Sequence, residues 1–246
     1  MARFDVDDLI DYRARRPPMT FDTDHWQDYA APELAVHLVH DAAGTPFLLL
    51  TGPEPDRRWE AVVAAVRTLV ERWGVRLTVG GHGIPMAVPH TRELSVISHA
   101  TRPELVAEKA PFSRVQVPGN LSALLELRLG EAGHDALGFA AYVPHYLAQT
   151  TYPTAAVGLL EAVTAATGLV LGTDALRETA KRTDAEITRQ VAESAEVMQV
   201  VEALEQQYDA YAESTQNLLI AEGEPVPSAD ELGAEFERFL AEQPRD

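Results

Sequence analysis

The sequence predicts an α/β fold: a three-layer mixed sheet with helices on both faces, followed by an acidic helical extension. Three observations carry this. A strand–helix–strand order spans Phe47 to Val79. Two runs, Phe47–Leu50 and Ala136–Val143, are apolar without the alternation of a half-exposed strand, which places both at central sheet positions. No glycine or proline interrupts Thr173 to Gln216, so helix is the expected state there.

Taken in order, Asp5 to Arg13 is expected to form a short helix, closed by Pro17-Pro18. Leu34–His40 and Phe47–Leu50 flank the turn chemistry of Asp41 to Pro46 and predict a hairpin. Trp59, Val62, Val63, Val66, Leu69, Val70 and Trp73 repeat at helical spacing, and Gly74 ends the run. Val75, Leu77 and Val79 then alternate as a half-exposed strand, completing a βαβ pattern. Gly80-Gly81-His82-Gly83 follows this strand and opens into Ile84-Pro85, not a helix, so it is expected to be a tight turn and not a phosphate loop. A short strand at Ser95–Ala100, an Asn120-capped helix and the Ala136–Val143 strand come next. Thr154 to Thr167 predicts a helix, apolar nearly all round and therefore well buried, with Gly168 as its stop. The chain thus divides into an α/β domain over 1–171 and a helical extension over 172–246. Within the extension, Thr183-Asp184-Ala185-Glu186 leaves both one long helix and two joined helices open. A linker at 221–228 precedes a terminal helix opened by Ser228-Ala229-Asp230-Glu231.

Composition removes several classes of function. The 246 residues contain no cysteine, which excludes disulfides, thiolate metal sites and cysteine nucleophiles. The net charge of −18 repels phosphate backbones, so no nucleic-acid partner is expected. The extension from Gly172 holds 18 acidic against 6 basic residues, a pattern that fits a solvated helix face. No run reaches the roughly 20 apolar residues of a membrane span, and no secretory leader is recognisable. The expected location is cytoplasmic.

No phosphate-binding, nucleophile-elbow or zinc-protease motif occurs. The candidate pocket consists of residues just past predicted strand ends: Glu54, Asp56, His90, His145 and Tyr152. Two imidazoles with two carboxylates suit acid–base work or a divalent ion. The simpler reading makes the Pro-His segments rigid turns and Tyr142, Tyr146 and Tyr152 a packing cluster around His145. No spacing is specific to a metal, so neither metal nor cofactor is assigned. A candidate interaction surface runs along Val197, Val201, Leu204 and Tyr208 and continues on Leu232, Phe236 and Leu240. Either self-association or the chain's own domain covers it.

Four segments stand in order: Leu48-Leu49-Leu50-Thr51-Gly52-Pro53-Glu54-Pro55-Asp56 with Trp59, Pro85-Met86-Ala87-Val88-Pro89-His90-Thr91-Arg92, Val117-Pro118-Gly119-Asn120 and Val143-Pro144-His145-Tyr146-Leu147-Ala148. Together they resemble the proteasome assembly chaperone 2 family in its actinobacterial form. The resemblance implies a domain akin to nucleoside phosphorylases and peptidyl-tRNA hydrolases, self-association, and no established catalytic residue. The family's usual opening strand and helix is expected to be missing or cut away, since the sequence opens at the segment containing Asp11-Tyr12-Arg13 and Arg16-Pro17. The resemblance also implies a non-enzymatic assembly or scaffolding role, with the proteasome or another protein as client. The ending Gln243-Pro244-Arg245-Asp246 lacks a hydrophobic-Tyr-x plug, so contact is expected through a folded surface. The alternative is a small-molecule binder or phosphorylase/hydrolase-like enzyme using the strand-end pocket.

Overall fold

In the computed structural model, residues 1–106 and 114–220 are described, with side chains through 212. The expected terminal helix and its Leu232, Phe236 and Leu240 lie outside them. The hairpin of Leu34–His40 with Phe47–Leu50 forms as read: β4 (Ala35–His40) pairs antiparallel with β5 (Pro46–Thr51). Asp41 closes the turn, its Oδ1 accepting from the Ala43 and Thr45 amides and its Oδ2 from Val170. These amide donors, Val170 foremost, hold its carboxyl below the usual carboxylate range. The short β1 (Ala2–Arg3) joins the far side of β4, giving the order β1-β4-β5.

The segment Asp5 to Arg13 is not the expected helix. It makes one 3-10 turn, Val6–Asp8, and then buries Leu9 and Ile10. The Leu9 carbonyl accepts from the Asp56 and Arg57 amides, a tertiary bond that a continued helix would have used internally. Sequence reasoning also missed a hairpin, β2 (Met19–Asp22) with β3 (His25–Tyr29), which pairs with no other strand among the described residues.

Helix α1 (Trp59–Trp73) matches its predicted bounds and buries Val62, Val63, Val66 and Val70. Gly74 ends it in the left-handed conformation. The next strand, β6, runs from Thr78 to Met86 and corrects two expectations. Gly80-Gly81-His82-Gly83 is strand, not turn, because glycine is what lets neighbours close on it. A Cβ at Gly80 would stand 2.9 Å from Ser122 Oγ, and one at Gly83 would stand 2.9 Å from Val143. Nor do β5 and β6 pair as a βαβ unit; they belong to different sheets.

The second sheet has the order β6-β8-β7, with β8 (Ala136–Pro144) central as expected, parallel to β6 and antiparallel to β7 (Val96–Ala100). Phe139 is buried, as its central position requires. Helix α2 (Leu121–Glu131) starts at Asn120, whose Oδ1 accepts from the Ala123 amide at 2.8 Å. Helix α3 (Pro153–Thr167) stops at Gly168. Successive strand residues face opposite sides, and Gly80 meets Ser122 of α2 while Gly81 meets Leu159 of α3. The two helices therefore cover opposite faces, which makes the three layers. The main core joins Leu9, Ile10 and Leu34 to α1 and α2, around a fully buried Leu129.

The central place expected for Phe47–Leu50 is not observed. β5 is an edge, and Leu48 and Leu49 are 37% and 44% exposed. Helix α3 is likewise less buried than its composition predicts, with only Pro153, Ala155 and Val157 buried. Of the two readings for 172–216, two helices is the observed one: α4 (Asp174–Ala192) and α5 (Ala195–Ile220). Asp184 does not start a helix; it accepts from Thr154 Oγ1 of α3 at 2.8 Å. The break instead falls at Ser194, whose Oγ accepts from the Val197 amide.

Candidate functional site

The strand-end residues separate into two groups. Glu54 follows β5, and its Oε1 accepts from the Leu121 amide at 2.6 Å, beside the Asn120 cap of α2. Asp56 accepts from the Asp11 amide at 2.7 Å and pairs with Arg15 at 2.5 Å. Both carboxylates thus fasten loops to the body, and neither bonds a histidine.

His90 and His145 do come together, through Tyr146. Both rings stand edge-on to it, with centroids 6.0 and 5.5 Å away. The Tyr146 hydroxyl accepts from the His90 amide at 2.8 Å and lies 2.8 Å from His90 Nδ1. A hydroxyl with one proton satisfies both contacts by accepting the first and donating the second. Nδ1 is then an acceptor, so the His90 proton sits on Nε2, which faces Thr188 Oγ1 of α4 at 3.4 Å. Burial pushes the His90 pKa below the ordinary imidazole value of 6.5, against the opposing charges of Asp184 and Glu205. His145 itself is exposed. Tyr152 lies beside this group, its hydroxyl pKa pushed up to about 12 chiefly by burial. The cavity that Tyr152 lines with Val88, Arg92 and Tyr142 has a volume of about 10 Å³, the size of one water and not of a substrate.

A pH dependence follows. The folded pKa of His90 is depressed, so its contribution to stability is present above pH 6.5 and lost as pH falls through the folded pKa. Tyr146→Phe is expected to cost about 1 kcal/mol, discounted for partial exposure. Urea unfolding at pH 7.5 and 5.0 checks both: the wild type loses more stability between these values than His90→Ala does.

The C-terminal helices close over this end of the sheet. Arg92 grips Asp209 of α5 with two bonds of 2.8 and 2.7 Å and stands 3.3 Å from Glu205, which also accepts from Thr91. Tyr208 donates to the Glu93 carbonyl at 3.2 Å. Val201 and Leu204 are buried against the chain's own body. Of the seven residues placed on an interaction surface, four are described, and of these only Val197 stays exposed, near Met198 and Val200.

A second polar cluster, which the sequence reading did not bring together, lies on the α2 face of the β6-β8-β7 sheet. His99 Nδ1 meets Glu126 Oε1 of α2 at 2.9 Å, and the His82 ring is 6.4 Å from the His99 ring. The Glu126 bond raises the His99 pKa, while burial and then the neighbouring His99 lower that of His82. Gly138 makes room, since a Cβ there would lie 2.0 Å from the His99 ring. The available signal was the strand period, which puts His82 and Gly80 on one face. Among the described residues no group of three His, Asp or Glu could hold a metal ion. No described helix is long and apolar enough to cross a membrane.

His82 and Glu126 also border a large cleft of about 990 Å³. It separates the β5 and β6 edges, with Val66, Leu69 and Trp73 of α1 on one side and Leu159, Leu160 and Val163 of α3 on the other.

These features define a mixed-sheet, three-layer α/β protein with a helical cover over its strand ends. The chain belongs to the PAC2 family, whose model matches residues 1–191. A Mycobacterium tuberculosis protein of unknown function is 49% identical with a TM-score of 0.84, the match covering 89% of this chain and 74% of that one. A Corynebacterium glutamicum protein of unknown function is 38% identical, TM-score 0.82, covering 86% and 79%. A Mycobacterium tuberculosis proteasome-assembly chaperone homologue is 22% identical, TM-score 0.73, covering 82% and 86%, and shares the fold. No functionally curated protein matches the sequence.

Proposed function

We propose that this protein is a non-enzymatic assembly or scaffolding factor that acts through protein–protein contacts, including contacts with its own copies. The observation that carries the reading is the β2–β3 hairpin. Met19, Phe21, Trp26 and Tyr29 are all exposed on it, Trp26 at 64%, and Phe21 and Trp26 stack edge-to-face at 5.0 Å. Exposed aromatic clusters of this kind are costly in water and typical of contact hot spots. The exposed Val197, Met198 and Val200 of α5 offer a second apolar stretch. The family supports the same direction, since one structural neighbour is described as a proteasome-assembly chaperone homologue. A proteasome subunit is accordingly the first client to try. The enzyme alternative at the strand ends finds no support in a cavity of about 10 Å³.

Light scattering at micromolar concentration tests self-association. The wild type is expected above the 26.9 kDa chain mass. The double variant Phe21→Ser/Trp26→Ser is expected to weaken association at least tenfold, as the loss of about 1.4 kcal/mol or more requires. Its melting temperature should hold, because these side chains support no core. A wild type that stays monomeric would sink the self-association part, and capture of proteasome subunits by wild type but not by the double variant would support the client part.

A further inference from the structure

Helix α5 carries a second seam beside the one that holds it to the body. Val201 and Leu204 are buried, Tyr208 bonds the Glu93 carbonyl, and Glu205 and Asp209 turn to Arg92. On the adjacent flank, Val197, Val200, Ala203, Gln207 and Ala210 follow one another at steps of three or four residues, and all five are exposed. Residues so spaced form one ridge, and its two alanines leave room for large side chains opposite.

A segment outside the described residues matches this flank. Ala229, Leu232, Phe236 and Phe239, with Leu240, share the same spacing, so the sequence predicts a helix over 229–240 with its large apolar groups on one side. Asp230, Glu231, Glu235 and Glu237 fall off that side by the same period. We propose that residues 229–240 of this same chain fold back as a helix and pack antiparallel on the exposed 197–210 flank of α5. Reach permits it. Between Ala210 and Ile220, α5 advances about 15 Å, and packed helices stand about 8–10 Å apart. The connecting residues 221–228 span up to about 26 Å when extended, which covers both distances with Pro225 and Pro227 in place. Charge selects the same position. The segment is acidic, and the flank is bordered by the neutral amides of Gln199 and Gln206, while Glu205 and Asp209 are committed to Arg92 on the far side of the helix. Shape agrees, since Phe236 and Phe239 are large where Ala203 and Ala210 are small. The tether also holds the segment at a higher local concentration than a second copy reaches in dilute solution. This contact does not rest on the hairpin reading; a client that meets Val197 and Val200 competes with the segment for them.

Because the chain has no cysteine, two introduced ones report the contact alone. Glu202→Cys on α5 and Arg238→Cys on the segment both lie off the proposed interface and take nitroxide labels in the full chain. Their separation is read by pulsed electron resonance in an excess of unlabelled chain. One narrow distribution centred between roughly 20 and 35 Å is expected for packed helices. Phe236→Ser/Phe239→Ser and, separately, Ala203→Glu at its exposed position are each expected to broaden it and to speed amide exchange over 232–240 at least tenfold. Phe21→Ser/Trp26→Ser is expected to keep the narrow distance, so this contact and the hairpin reading stand or fall separately. A broad distribution without any of these substitutions overturns the proposal. So does a narrow one that vanishes in unlabelled chain, which would place the segment on a second copy. A distance that Ala203→Glu leaves unchanged would place the segment elsewhere on the domain and overturn it equally.

Discussion

Leu129→Ala is expected to destabilise the protein by about 2–5 kcal/mol, enough to unfold a domain of ordinary stability. Leu129 is fully buried on α2, packed into the cluster that holds Val62, Val66 and Val70 of α1 with Leu125. Removing its isobutyl group subtracts transfer free energy and leaves a cavity that two helices and a sheet cannot collapse around. Leu127, two residues earlier and 56% exposed, is the internal control. Leu127→Ala should lie within about 0.5 kcal/mol of the wild type. Chemical denaturation of both variants checks the contrast, and equal midpoints would mean that the α1–α2 layer is not the core.

Gly52→Ala is expected to cost roughly 2–4 kcal/mol, from backbone strain and overpacking together. Gly52 has φ +145, and a Cβ there would lie 2.4 Å from the Glu33 carbonyl oxygen and 2.7 Å from Leu34 Cα. Both are main-chain atoms, and the Leu34 carbonyl is fixed by the Phe4 amide at 2.9 Å. Neither can rotate away, unlike the Leu34 Cδ1 that the same Cβ would meet at 2.9 Å. Gly44 separates the two causes: its φ is +83, but a Cβ would meet nothing within 4 Å. Gly44→Ala should therefore show the conformational cost alone, about 1–2 kcal/mol. Thermal melts of the two variants measure the difference. Because Gly52 sits where β5 leaves toward α1, its replacement should also loosen the Glu54 contact with the α2 N-terminus. Faster amide exchange at Leu121 would report that loosening.

Local chemistry was enough for several elements whose stabilising partners lie close in sequence, though not for the β2–β3 hairpin. Helix α1 could be bounded from Trp59 to Trp73 because its apolar period and its Gly74 stop are both properties of that stretch. Asn120 declared α2, Gly168 ended α3, and the Asp41 turn marked the β4–β5 hairpin. The burial of β8 followed from an apolar run with no polar face. The family resemblance was also legible, because short motifs in a fixed order survive where tertiary contacts are unknown.

Positions that depend on remote partners were not legible. Leu9 and Ile10 leave helical geometry because Asp56 and Arg57 donate to the Leu9 carbonyl from across the chain. The β6 glycines mimic a turn in sequence, yet they are extended because Ser122 and Val143 approach from other elements. The sequence left open whether a second copy or the chain's own domain covers Val201 and Leu204, which are buried where Arg92, Thr91 and Glu93 fasten α5. His90 and His145 meet because β6 and β8 run parallel and end together, whereas Glu54 and Asp56 follow a strand of the other sheet. The apolar character of Phe47–Leu50 pointed to a central, doubly covered strand, and the structure leaves Leu48 and Leu49 partly exposed. Only the tertiary structure shows that β5 stands at an edge beside an aliphatic cleft, because strand order is set by long-range pairing, and an apolar residue carries no record of the neighbour that covers it.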